Sequence, residues 1–230
     1  MLDRTHRAEE AIRASSVVVG YKHYLNHIAD LTEGKELLSS GMRQEVDRCR
    51  AALDRAQQGA TVAFVSSGDA GVYGMAGLAI EMAAAHGMDV PIEIVPGISA
   101  ANSAAARFGA PLMLDYACVS LSDLLMPWEN IRRRIKALAE ADMVVALYNP
   151  KSTKRIQQIE EVAGIFRQHR PGTTPVGIAT AVGAEDEHFV MSDLDRFLDE
   201  EITMKSIVIV GNSSSKILNG WFVTPRGYKV

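Results

Sequence analysis

Four glycines stand three residues apart in VSSGDAGVYGMAG, at Gly68, Gly71, Gly74 and Gly77, and an aspartate, Asp69, follows the first of them. Glycine lets main chain approach a ligand closely and take up positive φ. A carboxylate at that point can accept hydrogen bonds from a ligand hydroxyl or ammonium group. Ser67, Val72 and Tyr73 lie in the same stretch and complete its candidate contact set. The spacing is GxxGxxG and not the GxGxxG of dinucleotide-binding turns, which argues against a nicotinamide cofactor. Gly74 and Gly77 have a plainer reading as well, the close packing of a helix on its neighbour.

Two further stretches share this character. In VPGISAANSAAA, Pro96 and Gly97 turn the chain, and Ser99 and Ala100 open a helix whose first N–H groups are available to a ligand. In ALYNPKSTKR, Tyr148 and Asn149 follow an apolar run that Pro150 stops. A phenol and an amide there can read polar ligand edges. Lys151, Lys154 and Arg155 follow, either as cationic contacts or as a solvated basic loop. His23 and His27 are four apart on a predicted helix, a spacing that suits either a metal or a surface or dimer contact.

These stretches need elements to hold them, and the pattern supplies strands at their starts. TVAFV runs into the glycine stretch, VPIEIVPG into the second turn and DMVVALYNP into the third. Helical patterns alternate with them: HRAEEAIRAS, LLSSGMRQEVDRCRAALDRAQQGA up to Gly59, ISAANSAAARFG, PWENIRRRIKALAEA and TKRIQQIEEVAGIFRQHR. Further strands are expected at Val17–Val19, DYACVSLSD, TPVGIATAV and MKSIVIVGNSS, with GWFVTPRGY extended. The fold class is α/β, two domains each with a mixed, mostly parallel sheet flanked by helices. The break at Gly109 and Pro111 puts the division at 1–112 and 113–230. In such sheets ligands bind beyond the carboxyl ends of the strands.

The chain has 230 residues, 47% apolar and 23% charged, with a net charge of −4. That composition supports a sizeable core, and the absence of a basic stripe argues against nucleic acid as a partner. No apolar run approaches the ~18 residues of a membrane span. The opening MLDRTHRAEEAIRAS has no apolar leader region, so a cytoplasmic protein is expected. Cys49 and Cys118 lack metal-ligand spacing and read as thiols in a reducing compartment.

Taken together, VVVGYKHYL, SSGDAGVYGMAG, VPGISAANSAAARFGAPL, SLSDLLMPWENIRRRI, VVALYNPKS and IVIVGNSS…TPRGY resemble the tetrapyrrole methyltransferases of cobalamin biosynthesis. Within them the match is to the branch that methylates C17 of precorrin-3B, and it covers about residues 17 to 228. The resemblance implies S-adenosylmethionine in a cleft between two α/β domains, no protein-bound metal, a precorrin-type substrate and a homodimer. It puts Gly68, Asp69 and Val72 against the amino acid or ribose part of the cofactor, with Ser99, Ala100, Tyr148 and Asn149 as further contacts. Thr180, Ala181 and Val182 fall near the adenine.

The implied reaction moves a methyl group to C17 of precorrin-3B, or its cobalt form, and contracts the ring. Contraction requires proton transfer, for which Asp123 and Ser122 are candidates, with Asp115 and Tyr148 behind them. Ser122 or Asp123 can equally cap the following helix. Lys22, Lys151 and Arg155 are the expected partners of the substrate carboxylates. With cobalt in the substrate, a histidine can serve as an axial ligand. Family members begin with a strand and a GxGPG loop, whereas this sequence opens at MLDRTHRAEEAI, aligned with the helix after it. Two alternatives therefore stand beside the C17 enzyme: a non-catalytic tetrapyrrole-binding homologue, and a sister methyltransferase acting at another carbon.

Overall fold

The computed structural model describes residues 3–229, which form two compact units that divide between Ser99 and Ala100. The first unit holds α1 (His6–Ala14), β1 (Val17–Tyr21), α2 (Lys22–Asn26), β2 (Glu36–Ser40), α3 (Glu45–Gln57), β3 (Val62–Val65) and α4 (Ala76–Ala85). Its three strands lie in the order β2-β1-β3 and all run parallel. A central parallel strand is covered on both faces and so reads as a continuous apolar run, which is the character of VVVG in β1.

Side chains alternate across β1. Val18 meets Ile12, Leu25, Ile28 and Leu31 on one face. Val17 and Val19 meet Ala52 of α3 on the other. Outside that layer, Cys49 and Leu53 of α3 pack against Ala79, Met82 and Ala83 of α4. Burial pushes the Cys49 thiol up, as it does that of Cys118 in the second unit.

Two stretches of this unit depart from expectation. Leu37–Ser40, read as the start of a helix, belongs to β2, and the helix begins only at Glu45. β2 is an edge strand with Leu37 and Ser39 exposed on one face, so it lacks the apolar signature of a strand. Conversely, VPIEIVPG carries no strand. Among the described residues it ladders with neither β3 nor any other strand, and Ile92, Ile94 and Ile98 are exposed. β3 is correspondingly an edge, with all four residues only half-buried.

The second unit contains α5 (Ala100–Phe108), β4 (Gly109–Ala110), β5 (Tyr116–Ser120), α6 (Trp128–Glu140), β6 (Val144–Tyr148), α7 (Gln157–Arg167), β7 (Pro175–Thr180), β8 (His188–Asp193), β9 (Ser206–Val210), β10 (Lys216–Leu218) and β11 (Trp221–Val223). Five strands lie in the order β5-β6-β9-β7-β8. β5, β6 and β7 share one direction, and β9 and β8 run against them. The short link from β7 to β8 permits only an antiparallel return. A small second sheet, β10-β11-β4, completes the unit.

Alternation again divides the core. Val145 and Leu147 of β6 face α6 and α7, meeting Ile131, Ile135, Ile159, Val162 and Phe166. Val144 and Ala146 face α5, meeting Ala101, Ala104 and Phe108. The division between units therefore falls before α5 and not at residue 112, because the small residues of α5 pack on the five-stranded sheet. A Cβ on Gly177 of β7 would lie 2.7 Å from the Phe108 ring, so that close approach requires glycine.

Candidate functional site

At the carboxyl edge of the first sheet, β3 runs into Ser66, Ser67 and then Gly68, which has φ +69°. The Asp69 carboxylate does not point a bare charge outward. Its Oδ1 accepts from the main-chain N–H of Gly71 (2.8 Å) and Val72 (3.1 Å), and its Oδ2 accepts from Gly97 N–H (3.0 Å). One side chain thus closes the glycine loop and fastens it to the Pro96–Gly97 turn. Carboxylates make comparatively strong bonds to main-chain N–H groups, so the two turns are held as one body.

The glycines of the loop divide by role. A Cβ on Gly97 would fall 2.0 Å from the Gly68 carbonyl oxygen, and one on Gly74 would fall 2.5 Å from that of Ala70. Both are contacts of main chain on main chain. Gly77 has open space around its would-be Cβ, so the packing reading fails for it. Tyr73 has φ +55°, and its side chain and that of Val72 are exposed at the tip. Thr5 Oγ1 donates to the Pro96 carbonyl and tethers the second turn to the start of α1 (3.1 Å).

Beside this loop on the same edge, where β1 and β2 end, lies an open cavity of about 620 Å³ lined by Tyr21, Lys22, His23, Asn26, Ser39 and Met42 among others. It contains Lys22, the first of the candidate carboxylate partners.

In the second unit the carboxyl ends of β5, β6 and β7 bring together Ser120, Tyr148–Asn149 and Thr180–Ala181. The Ala101 N–H, in the first turn of α5, donates to the Tyr148 hydroxyl (3.0 Å). Asn149 has φ +49°, and its Nδ2 donates to Ser120 Oγ (3.1 Å). The Arg155 guanidinium folds back to donate to the Asn149 carbonyl (2.6 Å), while its Nε is buried without a hydrogen-bond partner. Lys151 is half-buried on the same loop.

Ala181, with φ +52°, donates its N–H to the Lys205 carbonyl (3.1 Å), and Thr180 Oγ1 shares a 2.7 Å hydrogen bond with Ser206 Oγ. The turn beyond them is held by Glu187, which takes a bidentate pair from Arg107 (2.7 and 3.0 Å) and the Gly183 N–H (2.5 Å). Hydrogen bonding to Arg107 holds the Glu187 carboxyl below the usual range. A separate cavity of about 410 Å³ opens beside Thr180, lined by Asp186, His188, Glu201, Thr203 and Lys205.

The proton-transfer candidates separate. Asp123 is exposed on the Leu121–Pro127 loop, with Oδ2 accepting from Gln158 Nε2 (3.0 Å), and Ser122 lies beside it. Neither caps a helix, since α6 starts at Trp128 after Pro127. Asp115 precedes β5 and so stands at the opposite end of that strand from Ser120, roughly 16 Å of extended chain away. It does not join the group. Ser120, Ser206, Arg107 and Glu187 were missed from the sequence. Ser120 sits at a strand exit and was findable; the Arg107–Glu187 pair spans 80 residues and has no local signal.

Residues 3–197 match the family model described as Tetrapyrrole (Corrin/Porphyrin) Methylases. The chain is 47% identical over 229 residues to the cobalt-factor III methyltransferase of Priestia megaterium, covering 98% of this chain but only 42% of that protein's length. It is 42% identical to the probable cobalt-factor III C(17)-methyltransferase of Salmonella typhimurium, covering 97% of this chain and 93% of that one. Its fold matches the crystal structure of the methyltransferase CobJ with a TM-score of 0.90 at 35% identity, over 96% of this chain and 93% of the other.

Proposed function

Because the chain belongs to the tetrapyrrole (corrin/porphyrin) methylases, a family of S-adenosylmethionine-dependent enzymes, we propose that it methylates C17 of a precorrin-3B-type tetrapyrrole in cobalamin biosynthesis, with contraction of the ring. The observation that carries this reading is the 42% identity to the Salmonella typhimurium relative over 93% of that protein's length. The cobalt form of the substrate is favoured, since both relatives described above carry cobalt-factor III in their names. A homodimeric, cytoplasmic enzyme goes with the reading; sedimentation velocity tests the dimer.

The residues present fit the cofactor at the first turn: a Cβ on Gly97 would strike the Gly68 carbonyl oxygen, and Gly68 itself takes φ +69°, so the turn is kept bare. The buried Arg155 Nε is a donor left for an anionic group, which suits its assignment to a substrate carboxylate. S-adenosylmethionine supplies, when bound, a methyl group on a sulfonium centre that a carbon nucleophile can displace. Methyl transfer of this kind is chiefly a matter of positioning.

Gly68, Asp69, Val72 and Ser99 would hold the cofactor in the first unit. Ala100, Tyr148, Asn149 and Thr180–Val182 would do so in the second. The Asp69 carboxylate acts by keeping loop N–H groups in place, with capacity for one more donor beyond the three it accepts. Tyr148 and Asn149 are oriented by Ala101 and Ser120, so their ligand-facing atoms are fixed beforehand. Lys22, Lys151 and Arg155 would take substrate carboxylates. Asp123, exposed and held on one oxygen, is the candidate to accept and return a proton during contraction, with Ser122 beside it.

Calorimetric titration with S-adenosylhomocysteine tests the cofactor site. One-to-one binding that is lost in Asp69→Ala is the expected result. Incubation with S-adenosylmethionine and cobalt-factor III, followed by mass spectrometry, tests the reaction. A folded chain that binds neither molecule would sink the assignment.

A further inference from the structure

The methyl-transfer reading leaves His23 and His27 without a role. They are four residues apart, on α2 and at its C-cap, and therefore share a face. Their Nε2 atoms share a hydrogen bond of 3.2 Å, and their rings cross nearly at right angles, 76° between planes. His23 is exposed and lines the cavity of about 620 Å³, together with Tyr21, Lys22, Asn26, Ser39 and Met42.

We propose that His23 and His27 form a two-imidazole site for a transition-metal centre at the mouth of this cavity. The spacing carries the inference. Two imidazole nitrogens bound at about 2.0–2.1 Å to one ion lie roughly 2.9 Å apart at a right angle and roughly 3.4 Å apart at a tetrahedral one. The observed 3.2 Å falls inside that range, so both nitrogens are spaced to bind a single ion that displaces the proton they share. Imidazole selects zinc, nickel, cobalt and copper over magnesium or calcium. With only two protein ligands, the remaining positions are left to water or to a donor atom of whatever enters the cavity.

The metal has two sources, an aqueous divalent ion or the metal carried by a tetrapyrrole, and their coordination differs. An aqueous ion offers neighbouring positions and is chelated by both histidines. A metal already ringed by four pyrrole nitrogens has its open positions on opposite faces, and so takes one histidine while the other steadies it. The second source rests on the methyl-transfer reading; the first does not.

The test uses the full chain, treated with chelator and dialysed against cobalt, nickel or zinc chloride, beside His23→Gln and His27→Gln. One ion per chain, lost in both variants, is expected for the aqueous source. A cobalt porphyrin followed by its visible absorption is the second arm. A band shift in the native chain, abolished in one variant and weakened in the other, is expected for the ring-borne source. Either pattern supports the site. No ion and no band shift, or binding unchanged in both variants, overturns it. Melting temperatures and S-adenosylhomocysteine binding of the variants separate this outcome from misfolding and from failure of the methyltransferase reading. Should His27→Gln not fold, the exposed His23→Gln alone decides.

Discussion

Asp69 illustrates how a side chain can shape a candidate site without being its most reactive group. Its three main-chain bonds close one loop and tie it to another. Hydrogen bonds to a charged group are worth about 1.5–3 kcal/mol each, so Asp69→Ala should loosen both turns and weaken S-adenosylhomocysteine by at least about tenfold; calorimetry reads this. Gly97→Ala attacks the same junction sterically, since its new Cβ would fall 2.0 Å from a carbonyl oxygen that has no flexible end to move. Overpacking of this kind costs about 1–3 kcal/mol, visible as a lower melting temperature together with lost ligand binding. Asp123→Asn should act differently: general acid–base groups contribute about 10²–10⁴-fold in rate, so turnover should fall by that order while cofactor affinity and melting stay put. The glycines, the prolines and Asn149 were legible as candidate site residues because turns and positive φ restrict residue type. What Asp69 does was not, because its partner at Gly97 lies 28 residues away.

At the scale of elements, helix α5 is the piece that covers the five-stranded sheet, and Phe108 is its anchor, fully buried against Gly177. Phe108→Ala should cost about 3–5 kcal/mol by the usual penalty for emptying an aromatic site, measured by denaturant unfolding. The turn after β7 depends instead on the Arg107–Glu187 pair. Its folded carboxyl titrates below the ordinary value of about 4.3, so the unfolded chain binds the proton more readily. The stabilisation is therefore full above that ordinary value and is lost as pH falls through the lower, folded one. Glu187→Gln should flatten this part of the acid-unfolding curve. Elements were readable where apolar periodicity was strong, as in β1, β6, β9, α6 and α7. β2 and β8 escaped because edge strands with one wet face look polar: ELLSS merges into the helix pattern after it, and HFVMSD carries a histidine, a serine and an aspartate. VPIEIVPG has every local mark of a strand but, among the described residues, ladders with no neighbour.

For the molecule as a whole, two α/β units and their parallel carboxyl edges followed from the alternation of strand and helix patterns. The exact point of division did not, because α5 is joined to the second unit by packing and not by any break in the chain. Among the described residues no helix is long and apolar enough to cross a membrane.

The bare flank of β3 has a practical consequence for anyone who handles the protein. A strand with unpaired N–H and C=O groups is a template for another chain, and here the isoleucines at 92, 94 and 98 are exposed in the same unit. Concentrating the protein should favour sheet-to-sheet adhesion over clean solution behaviour. Light scattering should rise with concentration and with time at rest, and Ile92→Lys with Ile94→Lys should suppress it without lowering the melting temperature. Scattering that is flat for the native chain would mean the flank is already shielded. Storage conditions, and not only catalysis, are thus written into the order in which three strands lie.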